Sequence, residues 1–282
     1  MVDKQKVWAI VMVAPIAALA ISLGALSQDN PLQRFQGLAG KIDIAGGTAH
    51  IPVMKDAAQQ IMAANPKISL TVAGGGSGVG VQKVGAGLVD IGNTGRPLTP
   101  EETAQYGLKS FAFALDGVAV AVNPQNPVNT LSPQQVRDIF AGRIKNWQEV
   151  GGKNAPINLF TRDEASGTRE VFWEKLLQKG PVLDKANVVA SNGAMKVALA
   201  QDPNSIGYLC IGHVDATVKA IKLDGVEPTQ ENAKSGKYPV VRHLYMNTKG
   251  EPQPLVKAFI DYIYSPAGAK IIQKSGYIPL KQ

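Results

Sequence analysis

Arg162 stands four residues before Ser166-Gly167-Thr168, and the tripeptide opens an amphipathic segment. Three chemistries fit that grouping: a serine nucleophile, an ordinary helix cap, or an anion held between the arginine and the turn. Related compositions recur at Ala45-Gly46-Gly47-Thr48, at Gly74-Gly75-Gly76-Ser77-Gly78 and at Gly92-Asn93-Thr94-Gly95. Each places a hydroxyl among small residues where a helix is expected to begin. The first amides of a helix have no intrahelical acceptor and sit at the positive end of its dipole. Glycine lets those amides approach an anion, and Ser or Thr adds an O–H donor. One such turn signals only an N-cap. Four of them after strand patterns point to a shared anion site at the carboxyl ends of the strands. The Arg162 fork suits a tetrahedral oxyanion; its alternative is a surface pair with Asp163 or Glu164.

The standard catalytic motifs are absent. Residues 75–79 read Gly-Gly-Ser-Gly-Val, without the last glycine of G-x-S-x-G. Val79 and Val81 stand where G-x-G-x-x-G needs its final glycine, and no P-loop sequence occurs. His213 and His243 are isolated, while His50 starts the helix after Thr48 and would rim the crevice. A hydrolase built on Ser166 is therefore the weakest reading. Cys210, the only cysteine, lies in an apolar stretch and reads as a buried small hydrophobe. No Cys, His or carboxylate follows a histidine at metal spacing, so neither a metal nor a cofactor is expected.

These turns need a scaffold, and the hydrophobic pattern supplies one. Strands are expected over 41–45, 67–73 and 88–92, alternating with helices over 50–65 and 79–86. Thr99-Pro100-Glu101-Glu102 starts another helix. A second series follows, with strands over 157–160, 187–190 and 206–210 and helices over 132–140, 166–178, 194–201, 254–264 and 265–275. Such alternation predicts a mostly parallel sheet flanked by helices. Two strand patterns, 111–122 and 238–246, are longer than the usual five or six residues. They are expected to cross between two lobes.

The chain of 282 residues is 45% hydrophobic and carries a net charge of +7, which favours an anionic partner. Its basic residues are dispersed rather than interleaved with aromatics, which argues against nucleic acid. Lys4 and Lys6 precede an apolar run over 7–26, and Ala25-Leu26-Ser27 puts small residues at a cleavage position. Residues 1–27 are expected to be an export signal, or an uncleaved membrane anchor given the length of the run. A linker over 28–40 follows.

The turns, together with Asp90–Glu102, Asp116–Gly152, Thr161–Phe172 and Ser205–Leu209, resemble the periplasmic phosphate-binding proteins of the PstS type. The resemblance implies an α/β type II periplasmic-binding fold. Residues 41–116 plus 243–282 would form one lobe and 117–242 the other. It implies high-affinity binding of inorganic phosphate by a monomer and delivery to an ABC-transporter permease in the inner membrane, without catalysis. By motif position Thr48, Ser77, Thr94, Arg162, Ser166, Gly167 and Thr168 would contact phosphate. Gly47, Arg96, Asp163 and Glu164 would stand behind them. Some members carry an aspartate in the third turn to accept the proton of hydrogen phosphate. This chain reads Thr94-Gly95-Arg96-Pro97 there, so sulfate, molybdate or tungstate on the same scaffold is an alternative. A membrane-anchored phosphate sensor is another.

Overall fold

The structure is a computed structural model, and it describes residues 30–281. The expected signal over 1–27 lies outside the described residues. Strand β1 (Gly40–Gly46) leads through a short 3-10 turn into α1 (Ile51–Ala64), and β2 (Ile68–Gly75) leads into α2 (Ser77–Gly85). Next come β3 (Ile91–Thr94), α3 (Pro100–Tyr106) and the 15-residue β4 (Leu108–Val122). The middle of the chain holds β5 (Thr130–Leu131), α4 (Pro133–Phe140), β6 (Asn158–Arg162) and α5 (Gly167–Lys175). It continues through β7 (Asn187–Val189), α6 (Asn192–Gln201), β8 (Ser205–Cys210), β9 (Lys219–Ala220), β10 (Lys222–Leu223) and α7 (Gln230–Lys234). Strand β11 (Val241–Lys249), helices α8 (Pro254–Ile263) and α9 (Pro266–Lys274) and strand β12 (Ile278–Pro279) close the chain.

Local chemistry sets several of these boundaries. Thr99 and Glu102 form a capping box at α3, with Pro100 in the first turn where its missing N–H costs nothing. Ser132 and Gln135 do the same for α4. Ser166 and Ser191 cap α5 and α6 by accepting from Arg169 N and Ala194 N. Two expectations shift. The third strand begins at Ile91 rather than at Leu88, which stays 69% exposed and whose amide closes the end of α2 on Lys83 O. The last long strand begins at Val241 rather than at Tyr238, because Pro239 offers no N–H to a ladder and Tyr238 N turns to Asn232 O.

The main sheet runs in the order β2-β1-β3-β11-β4-β8-β6-β7. Its flanks are parallel: β1 pairs with β2 and β3, and β6 with β7 and β8. The expectation of a mostly parallel sheet needs correcting, because β11 runs antiparallel to β3 and β4, and β4 runs antiparallel to β8, β9 and β12. The long strands traverse the molecule instead of returning through a helix, so they enter the sheet with the opposite sense.

Two large cores form on either side of this central pair. Phe113 and Ala114 of β4 and Leu244 and Met246 of β11 pack with Ile42, Val53, Ile91 and Phe259. Val118, Val120 and Val122 of β4, with Val240 just before β11, pack with Trp147, Phe172 and Tyr208 instead. The changeover between cores falls near Asp116 and Arg242, which face each other in the antiparallel register. The carboxyl ends of β1, β2, β3 and β6 converge there.

Candidate functional site

The turns after β1, β2, β3 and β6 meet in one cleft, lined by Gly47, Thr48, Gly76, Ser77, Gly95, Arg162, Ser166, Gly167, Thr168 and their neighbours. The cleft opens in part to solvent, and its lining of small residues, hydroxyls and two arginines suits a small anion. Its walls touch directly. Gly78 N donates to Ala165 O at 3.0 Å, and a Cβ on Gly76 would stand 2.5 Å from the same carbonyl. Gly76 also sits at φ +91°, so glycine is required there twice over. A Cβ on Gly167 would overlap Ser77 Oγ, which is why Ser-Gly-Thr carries its glycine in the middle.

The hydroxyls are held as donors by what they accept. Ser77 Oγ accepts from Gly95 N at 2.9 Å, and Ser166 Oγ accepts from Arg169 N at 3.2 Å. Thr48 Oγ1 accepts from both Asn192 N and Asn192 Nδ2, at 3.3 and 3.1 Å. With lone pairs so engaged, each O–H proton is left to donate. Gly167 and Thr168 begin α5 and Ser77 begins α2, so their amides are among those without an intrahelical acceptor. Ser166 is thus both cap and wall of the cleft. The Gly47 amide is occupied by Asn93 O, and its carbonyl faces His50 Nδ1.

Arg162 is only 2% exposed, yet its Nε and Nη1 have no protein partner. Nη2 donates to Ala190 O, and the backbone amide of Arg162 donates to Tyr208 Oη. That phenol stacks on Phe172 at 4.1 Å between ring centroids, so the second core fixes where the arginine starts. Burial pulls the guanidinium below the ordinary arginine pKa, and the Asp163 charge pushes it back up. A buried cation with free donors is costly unless an anion completes it. Of the two acids after Arg162, Asp163 is the one whose charge acts on it; Glu164 is exposed.

The third turn is built differently from its motif. Thr94 is fully buried, but its hydroxyl donates to Arg96 O and accepts from Asn247 Nδ2, and Gly95 lines the cleft in its place. Arg96 forms a fork with Glu102, at 2.7 and 2.6 Å, and its Nε lies 2.6 Å from Glu170 Oε2 on α5. Two carboxylates therefore claim Arg96, and it ties β3's turn to α5 rather than lining the cleft.

Two further residues that line the cleft, His50 and Arg242, lie outside the anion-binding motifs, and Asn192, Asp116 and Cys210 bond to residues that line it. Asn192 follows β7 in a Ser-Asn-Gly turn, and that composition was the available clue. Arg242 lines the cleft from β11, held by Asp116 and by Cys210 Sγ. Asp116 is fully buried, and burial raises its pKa against the pull of Arg242. Cys210 is buried as expected, and burial pushes its thiol up to about 12. His50 is 0% exposed, and burial with the Arg242 charge drives its pKa down to about 3, so it is neutral. Its Nδ1 faces Gly47 O at 3.1 Å, while its buried Nε2 has no hydrogen-bond partner. Among the described residues, no cluster of three His, Cys, Asp or Glu could hold a metal ion, and no helix is long and apolar enough to cross a membrane.

The family described as the PBP superfamily domain matches residues 35–267. The phosphate-binding protein PstS of Bacillus subtilis is 36% identical over 247 residues, 86% of this chain and 81% of that protein. PstS of Pseudomonas aeruginosa PAO1 is 28% identical over 306 residues, 98% and 95% of the two chains. Among solved structures, a putative phosphate ABC-transporter substrate-binding protein with bound phosphate from Clostridium perfringens superposes with a TM-score of 0.81. It is 34% identical and covers 86% of this chain and 100% of its own. An ABC-type phosphate transport receptor from Vibrio cholerae gives a TM-score of 0.69 at 34% identity, covering 84% and 99%.

Proposed function

The chain belongs to the PBP superfamily and, within it, to the PstS phosphate-binding proteins, and from that premise we propose that its cleft binds one inorganic phosphate for uptake by an ABC transporter. The observation that carries the reading is Arg162: a guanidinium 2% exposed, with two unpartnered nitrogens, in a cleft of inward O–H donors. In this reading Arg162 grips the anion from one side, with Ser166, Gly167 and Thr168 at the head of α5. Thr48 and Ser77 donate from the other side. Gly95 stands where Thr94 was expected, and Arg96 serves through its ties to Glu102 and Glu170. The two cores support lobes formed by residues 41–116 plus 243–282 and by 117–242, joined through β4 and β11.

The site holds its ligand and does not turn it over. Ser166 Oγ is engaged by Arg169 N, and the neutral His50 of the cleft faces Gly47 O through Nδ1. Delivery to a permease in the inner membrane would follow export to the periplasm as a monomer, with residues 1–27 as the signal or as a retained anchor.

Replacing Arg162 by alanine should weaken phosphate binding ~100-fold or more in equilibrium dialysis, because bonds to charged groups are worth about 1.5–3 kcal/mol each. Wild-type affinity in that variant would overturn the assignment. One observation favours a second ligand: no Asp or Glu lines the cleft, so a fully ionised oxyanion such as sulfate meets no buried carboxylate. Molybdate and tungstate belong to the same comparison.

A further inference from the structure

Arg242 differs from every other group in the cleft in where it comes from. It stands on β11, one of the strands that run between the two cores, and not on a strand-to-helix turn. Asp116 lies directly opposite it on β4. The carboxylate accepts Arg242 Nε at 2.9 Å and lies 2.9 Å from Nη2, with both side chains almost wholly buried. The same guanidinium lines the anion cleft, pressed against Gly95, where a Cβ would stand 2.5 Å from Nη1. Gly95 N is the group that holds Ser77 Oγ.

A buried ion pair at the changeover between two cores has a high desolvation cost, and a well-packed apolar pair there would often be as stable. Packing therefore does not explain it. Arg242 and Arg162 line the same cleft, and the Arg242 charge lowers the Arg162 pKa. Like charges placed together are tolerated when a counter-ion stands behind one of them and an anion arrives between them. Asp116 is that counter-ion.

Building on the phosphate reading, we propose that Arg242 is a second anion-binding cation of the cleft and that Asp116 is its positioning residue. Asp116 holds the fork from behind and neutralises it while the site is empty. Arg162 is left with open donors, and Arg242 adds its charge from the floor. Because Arg242 and Asp116 belong to the strands that connect the two halves, the ligand contacts the connecting ladder as well as the turns.

The test is phosphate titration of the wild-type chain and three variants, with a thermal melt of each. R242M, which keeps the length and removes the charge, should weaken phosphate about 10- to 100-fold, as expected when a charge-assisted donor leaves a dry site. R242K should fall between R242M and wild type, since it keeps the charge and loses the fork. D116N should melt at a lower temperature and yet bind phosphate more tightly, because a negative charge behind the site is gone. A purely structural pair would not produce those opposite signs. R242M affinity within twofold of wild type overturns the proposal. Should R242M fail to fold, D116N decides: unchanged or weaker binding overturns it. If the wild-type chain binds no phosphate, the phosphate reading itself falls; if it binds and R242M binds equally, only the role of Arg242 falls.

Discussion

Arg162 and His50 show how the same burial has opposite consequences for two basic residues. Arginine keeps its proton and so needs an anion; histidine loses its proton and needs none. The folded pKa of His50, about 3, lies below its ordinary value of 6.5. The stability linked to that neutral ring is fully present above pH 6.5 and is lost as pH falls towards 3. The loss approaches about 1.4 kcal/mol per pH unit for one proton. His50→Asn, whose amide can still reach Gly47 O, should flatten the fall in unfolding free energy between pH 6.5 and 4 by about one proton's worth. Denaturant melts across that range give the slope; an unchanged slope would show that His50 does not carry it. The legibility of the residues follows the same division. Arg162 and Ser166 were readable because they stand four residues apart in one motif. Arg242 was not, because its place in the cleft depends on which residue of β4 lies opposite, 126 positions away. Thr94 matched its motif by position, but its hydroxyl found nearer partners in Arg96 O and Asn247.

Among the elements, the turns after β2 and β6 carry the closest contact across the cleft. Gly76→Ala would push a methyl into Ala165 O and strain a positive φ. It should cost about 1–3 kcal/mol of stability, and the weaker wall contact should show as reduced phosphate affinity in the same preparation. A Gly76→Ala protein that binds and melts like wild type would mean the turns separate without effect on the ligand. The ion pair between Arg96 and Glu170 makes a milder link, from β3's turn to α5. Burial raises the Glu170 carboxyl and Arg96 lowers it, with the first effect larger. Its side chain is 36% exposed, so Glu170→Gln should change phosphate affinity by no more than about fivefold, in the range of surface pairs worth ~0–1 kcal/mol. A larger loss, read by titration at low and high salt, would make the link a principal closing contact. Helix starts were legible because capping is local; the sense of the long strands was not, because it follows from a path across the whole molecule.

At the scale of the whole molecule, two cores share one sheet, and the proposed anion site lies where the sheet passes from one core to the other. The sequence carried the alternation of strands and helices and the two long strands. It did not carry the mixed sheet, which follows from those strands pairing antiparallel with both flanks. A ligand that binds this arrangement and not the unfolded chain should raise its melting temperature. At a hundredfold excess over Kd the gain is about 2.7 kcal/mol, or ~5–10 °C for a chain of this size. The central claim is that one cleft, organised around Arg162, holds one phosphate. Calorimetric titration of residues 28–282 with phosphate, with sulfate as the competing titrant and R162A as the control, tests it most directly. One phosphate bound per chain, with the heat abolished in R162A, is the result expected. No phosphate binding, a stoichiometry other than one, or undiminished binding by R162A would contradict it.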